Sequence, residues 1–490
     1  MFGAPSEAAQ IDVKAVNKAA DRGLYANRQK IYPKLAFGKF RLIKWVVMAV
    51  TLSIYYIVPW IRWPRTAGLP DQAILADIVN GRIFIGPLEI WPQEFYIVTG
   101  LLVLGALALF LVTALSGRVW CGYACPQTVW TDLMVAVERF WQGDRNARIR
   151  LDAAPWTGDK IARKTATHLS WLLIALATGG AFVFYFRDAP TLFGEFISGT
   201  APLDAWLFLG IFTGTTYLLG GIAREQVCTY MCPWPRIQGA LFDADSYLVS
   251  YRPTRGEPRG PHKKGQSWEG RGDCIDCTQC VAVCPMGIDI RQGPQLECIQ
   301  CALCIDACNS VMSKIERPNL LIAYDTFHNL DAVAHGRSQR TRVLRPRTIL
   351  YGSLMVLLAG LLLTVMLIRR DVAFSLEADR NPFFVRLSDG GVRDGYWIKI
   401  LNKRQDTRSY ALSLSGLPSA SLSIIGMEKD PNAPIIVPAD TLRSLRVFVS
   451  VPSGALHDLG GTATSFQFQL TELGDGSVTK HAANFRSPQQ

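Results

Sequence analysis

The sequence predicts a multi-domain membrane protein: an α-helical bundle of five transmembrane spans, a cysteine-rich α+β module, and a small all-β sandwich at the carboxy terminus. Three observations lead there. Five apolar runs of about 20 residues are each long enough to cross a bilayer. Eight cysteines crowd between Cys274 and Cys308, and past Asp371 apolar and polar residues alternate over strand lengths. At 490 residues, 49% of them hydrophobic, the chain has room for several domains and the composition of an integral membrane protein.

The apolar runs cover 42–60, 95–115, 168–186, 205–223 and 348–368. A single run of this kind is sometimes a buried core helix, but that reading does not account for five, least of all for "LLVLGALALFLVTAL". The first run starts too far from the N-terminus for a signal peptide, and no small-residue cleavage site follows, so it is expected to stay. A basic amino-terminal arm, 1–41, leads into it; Lys30, Lys34, Lys39, Arg41 and Lys44 lie close to the first span. The loop after the second span carries Arg139, Arg145, Arg148, Arg150, Lys160, Arg163 and Lys164, whereas 61–94 and 187–204 have few basic residues. The positive-inside rule therefore makes the arm and the first of these loops cytoplasmic. Parity keeps 224–347 cytoplasmic and sends everything past Arg369 outward, to a bacterial periplasm. Arg369 and Arg370 oppose this, outweighed by Arg337, Arg340, Arg342, Arg345 and Arg347. Topology accounts for the net charge of +11, and no basic stripe interleaves with aromatics, so the expected partner is the lipid bilayer and not nucleic acid.

The four-helix region 42–240 contains two related motifs, "WCGYACP" at 120–126 and "VCTYMCP" at 227–233, each at the end of an apolar run. On a helical last turn, thiols four residues apart share one face at about 6 Å, close enough to hold a soft metal or form a redox pair. Pro126 and Pro233 are placed to start new helices. Packed as pseudo-symmetric halves, Cys121, Cys125, Cys228 and Cys232 would meet at the cytoplasmic face, and four thiolates suit Cu(I). A further iron–sulfur cluster on the same four thiols is an open alternative. Inert burial is the bland one, weakened by recurrence of the whole motif.

Residues 265–318 hold the strongest signal. "CIDCTQCVAVCP" supplies Cys274, Cys277, Cys280 and Cys284, and "CIQCALCIDACN" supplies Cys298, Cys301, Cys304 and Cys308. Each reads C-x2-C-x2-C-x3-C, in which three sulfurs converge on one cubane and the fourth serves the other. The expected ligands are Cys274, Cys277, Cys280 and Cys308 for one [4Fe–4S] cluster, and Cys298, Cys301, Cys304 and Cys284 for the second, within a pseudo-twofold ferredoxin-like module. Zinc sites seldom use this triple-plus-one spacing, and a reducing compartment disfavours disulfides. Asn309 stands where the first repeat has Pro285, a position that ligates nothing.

In 371–490, "YWIKILNK", "YALSLSG", "ASLSIIG", "RVFVSV" and "SFQFQLTEL" alternate between turn signals such as "SDGG" and "GDGS", which reads as a β-sandwich. His457 and His481 are lone residues expected on solvated positions. His168, at the start of the third span, is expected as a polar anchor ahead of a haem or quinone ligand, and no convincing quinone site is visible.

The paired CxxxCP motifs, the double cluster motif, "GRIFIGPLEIWPQEFY" at 81–96, a further span and an exported sandwich together resemble the FixG/CcoG family of cytochrome c oxidase accessory proteins. The resemblance covers nearly the whole chain. It implies an immunoglobulin-like fold for the carboxy-terminal domain. It also implies an inner-membrane polyferredoxin that reduces Cu(II) to Cu(I) for assembly of a cbb3-type oxidase; if it is such a cupric reductase, Cys121, Cys125, Cys228 and Cys232, the four cysteines not assigned to clusters, are the expected catalytic, copper-binding site. Copper ions and cbb3 assembly factors or copper chaperones are then the expected partners, together with an electron donor the sequence does not identify. A quinol-linked electron conduit to a periplasmic oxidoreductase and a non-catalytic assembly scaffold are the alternatives.

Overall fold

The computed structural model describes residues 30–488 apart from 66–68, 263–264, 370, 405, 428–432 and 460. Most of the basic arm, 1–29, and Arg370 lie outside the described residues. Five helices among those described are long and apolar enough to cross a membrane: Lys39–Trp60, Pro92–Ser116, Gly158–Phe184, Leu203–Ala223 and Pro346–Leu367. The chain is a multi-pass membrane protein. Leu102, Val103, Leu357 and Leu361 stay exposed on their helices, as residues facing acyl chains must. The third helix starts well before its apolar run because the Thr157 side chain caps it, accepting the Lys160 backbone N–H. It packs closely on the fourth, where a Cβ on Gly179 would lie 2.9 Å from the Leu209 carbonyl oxygen. The fourth helix widens from α to π geometry at Thr216–Ala223.

Between the first two spans the chain folds into an antiparallel sheet of Ile74–Asp77, Arg82–Ile85 and Leu88–Ile90, which sequence reading treated only as a loop. The cysteine-rich module is framed by two antiparallel strands outside 265–318, Leu248–Tyr251 and Ile322–Asp325. Between them lie the helices Gln279–Ala282 and Leu303–Lys314. Pro285 cannot continue a helix, so the first stops after one turn. Asn309 lets the second continue, and its side chain accepts the Leu320 N–H at 2.8 Å. The module is tied to the first span by Asp306, which accepts the backbone N–H groups of Phe40 and Arg41 at 3.3 and 2.8 Å.

The chain past Leu363 forms a second compact unit, a sandwich of two antiparallel sheets. One sheet orders Ser421–Ile424, Thr441–Val451, Val392–Asn402 and Val372–Ala378, with Val385–Arg386 also paired to Val392–Asn402. The other orders Ile435–Val437, Arg408–Ser415, Ala463–Glu472 and Val478–Arg486. Their alternating inward residues, among them Tyr396, Ile398, Val447, Phe466, Phe468 and Phe485, form the core. His457 sits on an exposed turn and His481 on the last strand.

Candidate metal and redox centre

The two cysteine repeats adopt one backbone solution twice. Asp276 and Thr278 in the first, Gln300 and Ala302 in the second, all have φ between 52° and 59°. The left-handed conformation costs a non-glycine residue about 1–2 kcal/mol, so four such residues at matching positions mark a loop shaped for a purpose. The shape turns backbone N–H groups onto sulfur: that of Gln279 onto Cys277, that of Gln300 onto Cys298, and those of Met286, Gly287 and Ile288 onto Cys284. Such donors stabilise the negative charge of a cluster's thiolates.

Two cavities follow the crossed pattern. Cys274, Cys277, Cys280 and Cys308 line one together with Tyr251, Arg291 and Met312. Cys284, Cys298, Cys301 and Cys304 line the other, with Cys280 on the wall between. All twelve cysteines are free. No three His, Cys, Asp or Glu side chains among the described residues converge on a single ion, so each set of four surrounds a space and not a point. The donor set and the cavities fit two cubane clusters. Burial, reinforced by neighbouring sulfurs, pushes Cys284 up to about 11 and Cys298 and Cys308 up to about 12. These groups are therefore neutral thiols until iron displaces their protons.

The CxxxCP motifs depart from the expected geometry. Cys121 lies in the short helix Val119–Tyr123, but Cys125 has left it, with φ −61° and ψ 128°. Cys228 lies in the π-helical turn Val227–Met231, and Cys232 is extended at φ −81°, ψ 121°. The two thiols of each motif do not share one helical turn, because a residue preceding proline is sterically excluded from the α region. The prolines behave as expected: Pro126 opens Pro126–Gln142 and Pro233 caps Trp234–Leu241. The two motifs are nevertheless neighbours. Burial is the main cause that raises Cys121 to about 11 and Cys228 to about 12; Cys125 and Cys232 add to both, and Cys121 adds to Cys228. The Cys121 thiol points at Gln238 Oε1, 3.3 Å away on the helix after the second motif.

This thiol group sits against the second cluster site. Cys121 and Cys228 pack on the same apolar cluster, which includes Val283, Met286, Ile288, Ile299 and Leu303, as Cys284, Cys298 and Cys304 do. At Gly122 the approach is too close for any side chain: a Cβ would stand 2.7 Å from the Ile299 carbonyl oxygen and 3.0 Å from Cys301 N. The Tyr123 hydroxyl donates to the Cys301 carbonyl at 3.1 Å. Arg118, 2% exposed, takes Gln300 Oε1 on its backbone N–H at 2.9 Å and donates through Nη1 to the carbonyls of Leu296 and Cys298. Its Nε and Nη2 have no hydrogen-bond partner, and its charge lies near Cys121, Cys298 and Cys228. Sequence reading missed Arg118, Gly122 and Gln238. The first two flank Cys121 within "GRVWCGYACP", and that adjacency was the only available signal. His168 is not alone either: its Nδ1 lies 2.8 Å from the Tyr217 hydroxyl of the fourth span.

Comparison with known proteins agrees with this architecture. The family model of a 4Fe-4S dicluster domain matches residues 223–327. That of a 4Fe-4S binding domain matches 98–142, a stretch whose only cysteines are Cys121 and Cys125. That described as an IG-like fold at the C-terminal of FixG, putative oxidoreductase, matches 362–488. The chain is 48% identical over 476 residues to the nitrogen fixation protein FixG of Rhizobium meliloti, covering 91% of each chain. It is 49% identical over 435 residues to protein RdxB of Cereibacter sphaeroides, covering 88% of this chain and 91% of that one. Among solved structures, a FixG-related protein from Vibrio parahaemolyticus is similar over 24% of this chain and 97% of its own, at 22% identity and a TM-score of 0.21.

Proposed function

The chain belongs to the FixG family, and from that premise we propose that it is an electron-transfer protein that reduces Cu(II) to Cu(I) at Cys121, Cys125, Cys228 and Cys232. The clusters would be held by Cys274, Cys277, Cys280 and Cys308, and by Cys284, Cys298, Cys301 and Cys304. A bound [4Fe–4S] cluster supplies single electrons. The chain does the rest: Gly122 and Tyr123 seat the thiol loop on the backbone of Ile299 and Cys301, and Arg118 places a buried positive charge among the sulfurs of both sites. Copper is the substrate. Soft thiolates favour Cu(I) over Cu(II), so a site of this composition raises the copper couple's potential and makes its reduction downhill.

The observation that carries this reading is the shared wall on which Cys121 and Cys228 pack beside Cys284, Cys298 and Cys304. In the cell the thiols and the cluster module would face the cytoplasm and the sandwich the periplasm. Reduced copper would pass to a chaperone or an assembly factor of a cbb3-type oxidase. The test is anaerobic purification, dithionite reduction, removal of excess reductant and addition of Cu(II). Cu(I) should appear in step with loss of the reduced-cluster EPR signals; clusters that stay reduced beside Cu(II) would refute the reading.

A second reading has the four thiols holding a further cluster. The 4Fe-4S binding-domain match over 98–142 favours it. Iron content separates the two, at about eight atoms per chain for two clusters and about twelve for three.

A further inference from the structure

An open recess along the third span, completed by Tyr217 of the fourth, brings polar and apolar side chains together. His168 Nδ1 and the Tyr217 hydroxyl meet there at 2.8 Å, and the His168 ring stands edge-on to Trp171 with centroids 5.1 Å apart. The recess is lined by Trp156, Ile161, Leu169 and Leu172 together with Lys164 and Thr165. Trp156, just before the third helix, and Leu169 and Leu172 on it are all exposed, so the recess is open along its apolar side. We propose that it binds the ring of a membrane quinol, an aromatic diol on an apolar tail, with His168 accepting a proton from one ring hydroxyl.

The chemistry selects this occupant. A quinol needs a proton acceptor, which a neutral imidazole supplies, a second polar group to fix the ring, and an open apolar side for its tail. A phospholipid acyl chain makes no use of a histidine–tyrosine pair. With Nδ1–H donating to the Tyr217 oxygen, one of the two tautomers this contact allows, Nε2 is unprotonated and is the nitrogen that can accept the proton. Oxidation of one quinol to quinone releases two electrons and two protons, one taken by His168 and the other passed to solvent through the open recess. The balance closes with two Cu(II) reduced to two Cu(I), an acceptor that rests on the function proposed above, while the binding site itself does not. The recess is joined to the thiols by packed residues: the Arg224 guanidinium lies 5.1 Å from the Trp171 ring, and Arg224 and Cys228 line one cavity.

The test uses the full chain in phosphatidylcholine nanodiscs with decylubiquinone as probe. Saturable binding is expected, weakened at least tenfold by H168L and by Y217F; the latter keeps the ring and removes only the hydroxyl. Unchanged iron content would show that the variants are folded. Absence of saturable binding to the wild type, or binding unaltered in both folded variants, would mean that the recess holds only lipid and would overturn the proposal. Decylubiquinol added to wild type with Cu(II) then separates the two claims. Binding without copper reduction, even after dithionite, would defeat the copper reading and leave the quinone site standing.

Discussion

Gly122 is where the thiol loop and the cluster loop come closest, and both neighbours of its missing side chain are backbone atoms. An alanine there cannot be absorbed by rotating a side chain, so the loop carrying Ile299 and Cys301 must shift. G122A is expected to cost about 1–3 kcal/mol, the usual range for overpacking. The loss should fall on the second cluster: EPR should show one cluster's signal diminished while that of the Cys274 set persists. Two undisturbed clusters would mean the contact is looser than the geometry indicates. At this scale the sequence was informative about ligands and silent about what surrounds them. Cysteine spacing is local, so the eight cluster thiols and the four CxxxCP thiols could be singled out directly. The partners of Arg118, Cys121 and His168 lie 182, 117 and 49 residues away, and no local pattern announces contacts made by folding.

The two cysteine repeats are alike in their loops and unlike in their helices, and the difference begins at one residue. Pro285 ends the first helix; Asn309 stands inside Leu303–Lys314. N309P would remove a helical N–H and drive a ring into the preceding turn, at about 3 kcal/mol or more. Because Cys308 is the neighbouring residue, the cluster expected to fail is the one shared with Cys274, Cys277 and Cys280, even though the substitution lies in the other repeat. Iron analysis with EPR would report that crossed loss. Loss of the Cys298 cluster alone would contradict the crossed ligand sets. Helix and strand existence was legible from periodicity: all five spans formed, and all five alternating segments became strands. The i, i+4 spacing predicts helical Cys125 and Cys232, and the steric demand of the following proline overrides it, leaving both extended. The outer strands Val372–Ala378 and Val478–Arg486 are further strands that the alternating segments singled out from the sequence do not include.

Across the whole molecule, the account depends on which side of the membrane each part occupies. Basic-residue asymmetry and the parity of five spans lead us to propose a cytoplasmic cluster module and a periplasmic sandwich. A reporter active only outside the cytoplasm should work when fused after Gln490 and fail when fused after Tyr324; the reverse pattern would also remove the reducing compartment that keeps twelve thiols free. The most direct test of the central claim is single-turnover copper reduction by the C121S/C228S double variant. Both substitutions lie outside the two cubane ligand sets. The pre-reduced variant should therefore keep the EPR signals of both clusters and fail to convert Cu(II) to Cu(I), whereas wild type converts it. A variant that reduces and binds copper at the wild-type rate and stoichiometry would show that these thiols are structural and that copper is reduced elsewhere.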